Sequence, residues 1–209
     1  MDRIPRTATL AIAAITALAW VAVVLAGASE KAELLLGFIP ARFSGLIVLS
    51  RAVPTILTPL SATLVHAGLV HLGFNLLIFV WCGAQVERVL GRAGLIILYL
   101  VGAYSSALLQ WAANPASIAP MIGASGAISA VIGAFALSFG RAKAFTGNAT
   151  INRWINVAWL MVAWVVLQMM MGWLAGSEGY LLATPAHVGG FAAGLLLQRP
   201  LLLWHYRKA

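Results

Sequence analysis

Charged residues are scarce in this chain of 209 residues. Asp, Glu, Lys and Arg together make up 9% of the sequence, whereas 62% of the residues are hydrophobic. No ordinary water-soluble domain of this length combines so few charges with so many apolar residues. The composition therefore leaves no room for a soluble module and predicts a protein embedded in a lipid bilayer.

Cysteine and acidic residues are the rarest of the groups that carry chemistry. The single cysteine, Cys82, excludes an intramolecular disulfide and a cysteine metal cluster. The single aspartate, Asp2, lies near the amino terminus, and the glutamates fall in predicted connections between apolar segments. No carboxylate is therefore expected inside a membrane helix. The glutamates are Glu30, Glu33, Glu87 and Glu178.

Long apolar runs, in contrast, recur along the whole sequence. A helix needs about 20 mostly apolar residues to cross a bilayer. We therefore predict an all-α membrane protein in which residues 1–209 form one bundle of six transmembrane helices. A long first loop, residues 29–60, holds apolar pieces too short to span and is expected in the outer interface. The predicted spans are residues 8–28, 61–86, 93–113, 123–140, 155–174 and 185–203.

The positive charges predict the orientation of this bundle. Ten of the 13 lysines and arginines lie at the two ends and in alternate connections, and only Lys31, Arg42 and Arg51 lie in the long loop. Cytoplasmic loops carry such an excess, so both termini are expected in the cytoplasm. The net charge of +8 is thus a topology signal rather than a nucleic-acid footprint, with attraction to anionic lipid headgroups as a second effect.

The first apolar segment has two interpretations. Residues 26–28 read Ala-Gly-Ala and resemble a signal-peptidase site after a basic start and an apolar run. The run is about 20 residues long, however, whereas the apolar region of a signal peptide has about 7–15. We therefore expect the segment to be retained as the first transmembrane helix.

Polar residues inside the apolar segments are costly in hydrocarbon and are candidates for function. Ser125 stands among small residues at the start of the fourth span, and His187 stands at the start of the sixth. Gly190 and Gly194 follow His187 at helical spacing and let another helix approach closely. Packing of these two small faces would bring Ser125 and His187 to a similar depth near the outer surface. Ordinary helix packing with an incidental serine is the alternative.

A serine and a histidine in contact can act as nucleophile and general base. Without a carboxylate in the membrane helices, a Ser125–His187 dyad is the arrangement available, and Glu178 in a loop is the alternative third member. His71 and Asn75 lie four residues apart on one face of the second span and can both donate to a developing oxyanion. The backbone N–H of Ser125 is another donor. Interhelical hydrogen bonding is the alternative role for these groups.

His66 requires a separate interpretation. It lies five residues before His71, so on a regular helix it would point elsewhere and would brace the loop or the mouth of the helix. A zinc site formed by His66, His71 and His187 is the other chemical option. Their spacing is not that of a metalloprotease helix, and no adjacent glutamate could act as base. We therefore expect no metal or other cofactor.

Three motifs make the sequence resemble a rhomboid intramembrane serine protease of the minimal six-span bacterial type. Residues 123–126 read GASG, which matches the family's GxSG, and residues 66–75 match its HxxxxHxxxN. Residues 186–194 match its AHxxGxxxG. The resemblance covers residues 40–204, with the motifs in order and on the expected spans.

The resemblance implies a set of roles and a class of substrate. Ser125 is the implied nucleophile, His187 the general base, and His71, Asn75 and the Ser125 backbone N–H the oxyanion hole. The implied substrates are transmembrane proteins, which would enter from the lipid between spans two and five. The site would open to the outer face of a bacterial inner membrane. The implied supporting residues are His66, Gly123, Gly126, Gly190 and Gly194.

The sequence also departs from the family pattern at two places. Members often have a Trp-Arg pair in the first loop, where residues 57–60 here read Leu-Thr-Pro-Leu. Ser129 stands where some members place a tyrosine that supports the histidine ring. Two other functions stay open. One is a non-catalytic relative that binds transmembrane helices, and the other is a transporter or channel, which would need polar residues along the whole bundle.

Overall fold

The computed structural model describes residues 7–139, 145–174 and 184–207, and these residues fold into helices with short connections. Two 3₁₀ turns, Thr55–Leu57 and Ala62–Leu64, lie on either side of the short helix α4. The α-helices are α1 Thr7–Leu25, α2 Ser29–Leu36, α3 Pro40–Phe43, α4 Thr58–Ser61, α5 Leu69–Ala113, α6 Ser125–Phe139, α7 Ala149–Leu174 and α8 Thr184–His205.

Three of these helices have the length and the hydropathy of a membrane span. They are Thr7–Leu25, Leu69–Ala113 and Ala149–Met170, while α6 is apolar and shorter. The predicted first, fourth and sixth spans agree with α1, α6 and α8 to within three residues at each end. The chain therefore has the helical elements of a multi-pass membrane protein.

The longest helix, α5, reverses direction at a glycine. It has 45 residues, so as a straight rod at about 1.5 Å per residue it would be about twice as long as the ~30 Å hydrocarbon core. Gly91 has φ 72° and ψ 171°, a conformation that glycine adopts without strain. The predicted break between spans two and three falls here. Phe79 of the first limb, residues 69–90, contacts Tyr99 of the second, residues 92–113, with ring centroids 5.5 Å apart.

A buried carboxylate from α5 connects that helix to the amino end of α1. Glu87 Oε1 accepts a hydrogen bond from the backbone N–H of Ala8 at 3.0 Å. Its Oε2 accepts from the backbone N–H of Thr9 at 2.9 Å and from the Thr9 hydroxyl at 2.6 Å. The first N–H groups of a helix lack intrahelical partners, and that end is partly positive. Glu87 therefore satisfies both requirements of α1. The expectation that no carboxylate lies inside a membrane helix is wrong at this residue, because α5 continues through the predicted connection and buries Glu87.

The predicted start of the second span at residue 61 is wrong. The helix α5 begins at Leu69, because the backbone is extended at Val65, after the 3₁₀ turn Ala62–Leu64, and again at Gly68, which precedes α5. The long loop holds α2 and α3, as expected for apolar pieces too short to span. Phe38 of this loop pairs with Met121 through backbone hydrogen bonds of 3.0 and 2.8 Å. The loop is thereby joined to the segment that precedes α6.

The central helix is α6, which lies against both α5 and α8 and is buried along most of its length. Its contact with α8 is close. A Cβ added to Gly194 would collide with the carbonyl of Ala130, and one added to Gly190 would collide with the carbonyl of Gly126. Contact between small residues is a main source of helix association in lipid. The predicted close packing of the fourth and sixth spans is therefore confirmed.

The helix α7 is more exposed and buries one face. Val157, Trp164 and Gln168 are buried at helical spacing. The helix begins at Ala149, six residues before the predicted start of this span at residue 155. The Asn148 side chain accepts hydrogen bonds from the first turn, at 2.9 and 3.2 Å, and so caps a polar extension that hydropathy does not detect.

Candidate active site

The chain turns sharply before α6, so that Ser125 becomes the first residue of the helix. Gly123 makes this turn with φ 103°, which favours glycine. A Cβ at this position would lie 2.7 Å from His71 Cε1, so that any other residue would force the imidazole to move. The Gly123 N–H donates to the carbonyl of Ala62 at 2.9 Å. The turn is therefore held between α5 and the 3₁₀ segment that precedes it.

Ser125 and His187 meet where α6 and α8 begin. Ser125 Oγ lies 2.9 Å from His187 Nε2, a hydrogen-bond distance. Both side chains are buried, with exposures of 8% and 4%. The helices approach closely just below, where Gly190 faces Gly126 and Gly126 in turn faces Ser106. The structure thus brings together the two residues predicted as nucleophile and base, in a geometry that allows proton transfer.

His71 and Asn75 border the same turn from α5. A Cβ on Gly123 would be 2.8 Å from His71 Nε2 and 3.7 Å from Asn75 Nδ2. Asn75 is 0% exposed, and neither atom of its amide group has a hydrogen-bond partner among the described residues. The Ser125 N–H is close by and, at the first position of a helix, has no intrahelical acceptor. These donors could stabilise a negative charge beside Ser125.

His66 contacts His71 rather than pointing away from it. The expectation from helical phase is wrong, because α5 begins only at Leu69. The two imidazole rings meet edge to face with centroids 4.9 Å apart. His66 Nε2 accepts from the Ala124 N–H at 3.4 Å, and the His66 carbonyl accepts from the Trp20 indole at 3.1 Å. These contacts are those of a bracing residue, since they connect α1, α5 and the turn before α6.

Sequence reasoning missed Trp164, which reaches the site from α7. Its indole N–H donates to Ser129 Oγ at 2.7 Å, and the Ser129 hydroxyl donates to the Ser125 carbonyl at 2.7 Å. The indole also meets the His187 ring at 6.3 Å and 75°, and stacks on Phe74 at 6.0 Å and 16°. One sequence signal was available. Trp164 lies in the middle of an apolar segment, whereas most tryptophans of this chain lie near predicted span ends.

A small cavity adjoins the serine. Its volume is about 20 Å³, and Ser106, Ser125 and Ala186 are among the residues that line it. A cavity of about 10–15 Å³ by this measure holds one water molecule.

Glu178 lies outside the described residues, so its assistance to His187 stays a prediction. Across residues 7–139, 145–174 and 184–207, no group of three or more His, Cys, Asp or Glu side chains is placed to hold a metal ion.

Comparisons with known proteins agree with the motifs. A family model described as the Rhomboid domain matches residues 53–204. RHOMBOID-like protein 4 of Arabidopsis thaliana is 31% identical over 146 residues, which are 69% of this chain and 34% of that protein. Rhomboid-type serine protease 2 of Emericella nidulans is 31% identical over 141 residues, 63% of this chain and 24% of that protein. Rhomboid protease GlpG of Yersinia pestis is 31% identical over 137 residues, 66% of this chain and 45% of that protein.

The matched part of this chain spans less than half the length of each of these relatives. The family model, in contrast, covers most of the chain and includes all of the candidate site residues. It also covers α5, α6, α7 and nearly all of α8. The chain therefore belongs to the rhomboid family, as an all-helical, multi-pass integral membrane protein homologous to rhomboid serine proteases.

Proposed function

We propose that this protein is an intramembrane serine endopeptidase that cleaves a peptide bond in or beside a transmembrane segment of its substrate. One observation carries the proposal, namely the 2.9 Å between Ser125 Oγ and the buried His187 Nε2. The rhomboid domain supports it, as do relatives whose names include serine protease and rhomboid protease.

The proposed reaction uses His187 alternately as base and as acid. It first takes the proton of Ser125 Oγ while that oxygen attacks the substrate carbonyl. The oxyanion that forms is stabilised by the Ser125 N–H, Asn75 and His71. The C–N bond then breaks, His187 gives the proton to the leaving amine, and an ester remains on Ser125. Water activated by His187 hydrolyses this ester, which releases the acid product and restores both side chains.

The proposal includes a topology of six spans, as in the minimal bacterial type. These are α1, the two limbs of α5, α6, α7 and α8. The distribution of positive charge supports cytoplasmic termini. The proposed location is a bacterial inner membrane, with the Ser125 end of α6 toward the outer face. Substrate helices with small or helix-weakening residues near that face unwind most readily, and they enter from the lipid between the first limb of α5 and α7.

The test is incubation of the purified protein with a model transmembrane substrate in detergent. The wild type should cleave it, whereas Ser125→Ala and His187→Ala should show only background cleavage and the same thermal stability. A fluorophosphonate should label Ser125 of the wild type. Ser138→Ala, at the other end of α6, is the matched control and should cleave normally. Cleavage by Ser125→Ala would contradict the dyad, and substrate binding without cleavage by the wild type would favour a non-catalytic relative.

A further inference from the structure

One side chain of α7 contacts all three helices that carry proposed catalytic groups. The ring of Trp164 stacks on Phe74 of α5 and meets His187 of α8, and its N–H bonds to Ser129 of α6. Trp164 is 4% exposed, whereas Trp159 on the same helix is 66% exposed. The packing of α7 therefore places the indole of Trp164 against the dyad, whereas Trp159 lies on the exposed side of the same helix.

The hydroxyl of Ser129 both donates and accepts a hydrogen bond in this contact. It has one proton, which it donates to the Ser125 carbonyl, and it accepts the indole N–H of Trp164. Ser129 is completely buried, and hydrogen bonds in a chain polarise one another where the dielectric constant is low. The chain Trp164–Ser129–Ser125 thus fixes the peptide group of the proposed nucleophile. The small side chain of Ser129 also leaves space for the indole ring of Trp164.

The proposed base needs a group that orients its imidazole, as in other nucleophile–base pairs. The buried carboxylate among the described residues, Glu87, bonds to α1 and not to His187. The group that does lie beside His187 is the Trp164 ring, nearly perpendicular to it. An aromatic pair in this arrangement has a preferred geometry and a favourable energy of its own.

We propose that Trp164 and Ser129 are positioning residues of the dyad, a role that rests on the proposed function. The indole ring holds the imidazole of His187, and the hydrogen bonds through Ser129 hold Ser125 opposite it. Both residues act through Ser125 and His187. Their contribution depends on α7 being packed against α6 and α8, so the competence of the dyad depends on the position of a helix that carries none of its members.

The test compares Trp164→Phe, Ser129→Ala and the double variant, with Trp159→Phe as the matched control. Trp164→Phe keeps an aromatic ring and removes the N–H. Trp164→Phe should lower kcat, and the rate of Ser125 labelling by a fluorophosphonate, by about 5- to 10-fold, which is the size of one hydrogen bond. Ser129→Ala removes two hydrogen bonds and should lower both rates at least as much. KM should stay unchanged. Because Ser129→Ala already removes the hydrogen bond that Trp164→Phe removes, the double variant should lose no more than Ser129→Ala alone.

The controls separate positioning from general stability and from the proposed function. Trp159→Phe should match the wild type, and thermal unfolding of all variants in one detergent should show losses too small to explain the change in kcat. Normal kcat in Trp164→Phe, or losses that multiply in the double variant, would overturn the positioning role alone. Absence of cleavage and labelling in the wild type would instead overturn the proposed function.

Discussion

At the scale of the residue, Asn75 has the most informative surroundings. Its amide group is completely buried in α5 and has no partner among the described residues. Leaving a buried polar group unpaired costs roughly 1–3 kcal/mol, and natural structures seldom do so without a reason. A bound group that accepts its N–H would recover this cost. In the proposed reaction that group is the oxyanion, which exists only after attack by Ser125.

Replacement of Asn75 should therefore affect the chemical step more than binding. Removal of one oxyanion donor typically lowers kcat by about 10²–10³, or about 2.7–4 kcal/mol. Asn75→Ala should lie in this range with little change in KM, and the Ser125 N–H should preserve residual activity. The measurement is steady-state cleavage, with Gln85→Ala on the same helix as control. Wild-type kcat in Asn75→Ala would show that the asparagine is structural.

Gly123 permits a second prediction at this scale. Gly123→Ala adds a methyl group where φ is 103° and where the His71 ring lies 2.7 Å away. The backbone strain alone is about 1–2 kcal/mol, and His71 must also move, so both thermal stability and cleavage should fall. Gly73→Ala is the matched control, because nothing lies within 4 Å of its added Cβ. It should be neutral or slightly stabilising, by about 0.4–1 kcal/mol. Equal effects of the two substitutions would contradict this account.

The candidate residues differ in how far sequence alone could identify them. Ser125, His187, His71 and Asn75 belong to spaced motifs, because each needs a fixed place on its own helix. The structure places them together, and their catalytic roles stay a prediction. Trp164 has no such local pattern. Its partners are on three other helices, and only the packing of α7 brings it there.

At the scale of the element, α1 is an apolar helix whose polar contacts are at specific points. Its first N–H groups bond to Glu87, and its Trp20 bonds to the His66 carbonyl. Hydropathy identified the helix but could not show these contacts, since Glu87 and His66 are both distant from α1 in the sequence. The same limit explains the shifted starts of α5 and α7. Hydropathy records composition, whereas the extended backbone at Gly68 and the Asn148 cap mark where these helices begin.

Glu87 should contribute strongly to the attachment of α1. Glu87→Gln keeps the shape but loses the charge and one of the two acceptor oxygens, so that either Ala8 or Thr9 loses its acceptor. Hydrogen bonds to charged groups contribute about 1.5–3 kcal/mol, and we expect a loss of that order in the free energy of unfolding. Glu30→Gln, an exposed glutamate, should have almost no effect. Unfolding in one detergent measures both, and an unchanged midpoint for Glu87→Gln would contradict the assignment.

At the scale of the whole molecule, the proposed topology fixes which connections face which side. In a Cys82→Ala background, single cysteines at Arg92 and Gly147 should react with an impermeant maleimide only after the membrane is opened. Cysteines at Lys31 and Ala116 should react in intact cells, because those connections lie at the Ser125 end of α6 in the proposal. All four positions are exposed. Reversed labelling would show the opposite orientation in the membrane, with the proposed site toward the cytoplasm.

The contact between Glu87 and α1 has a consequence for biosynthesis. The donor Thr9 and the acceptor are 78 residues apart, and a ribosome adds about 5–20 residues per second, so roughly 4–16 s separate their synthesis. During that interval α1 has left the ribosome while the side chain that completes its first turn does not yet exist. Water and lipid headgroups must solvate those N–H groups until the first limb of α5 arrives. The final position of α1 in the bundle is thus set after its insertion, by Glu87, which is synthesised later.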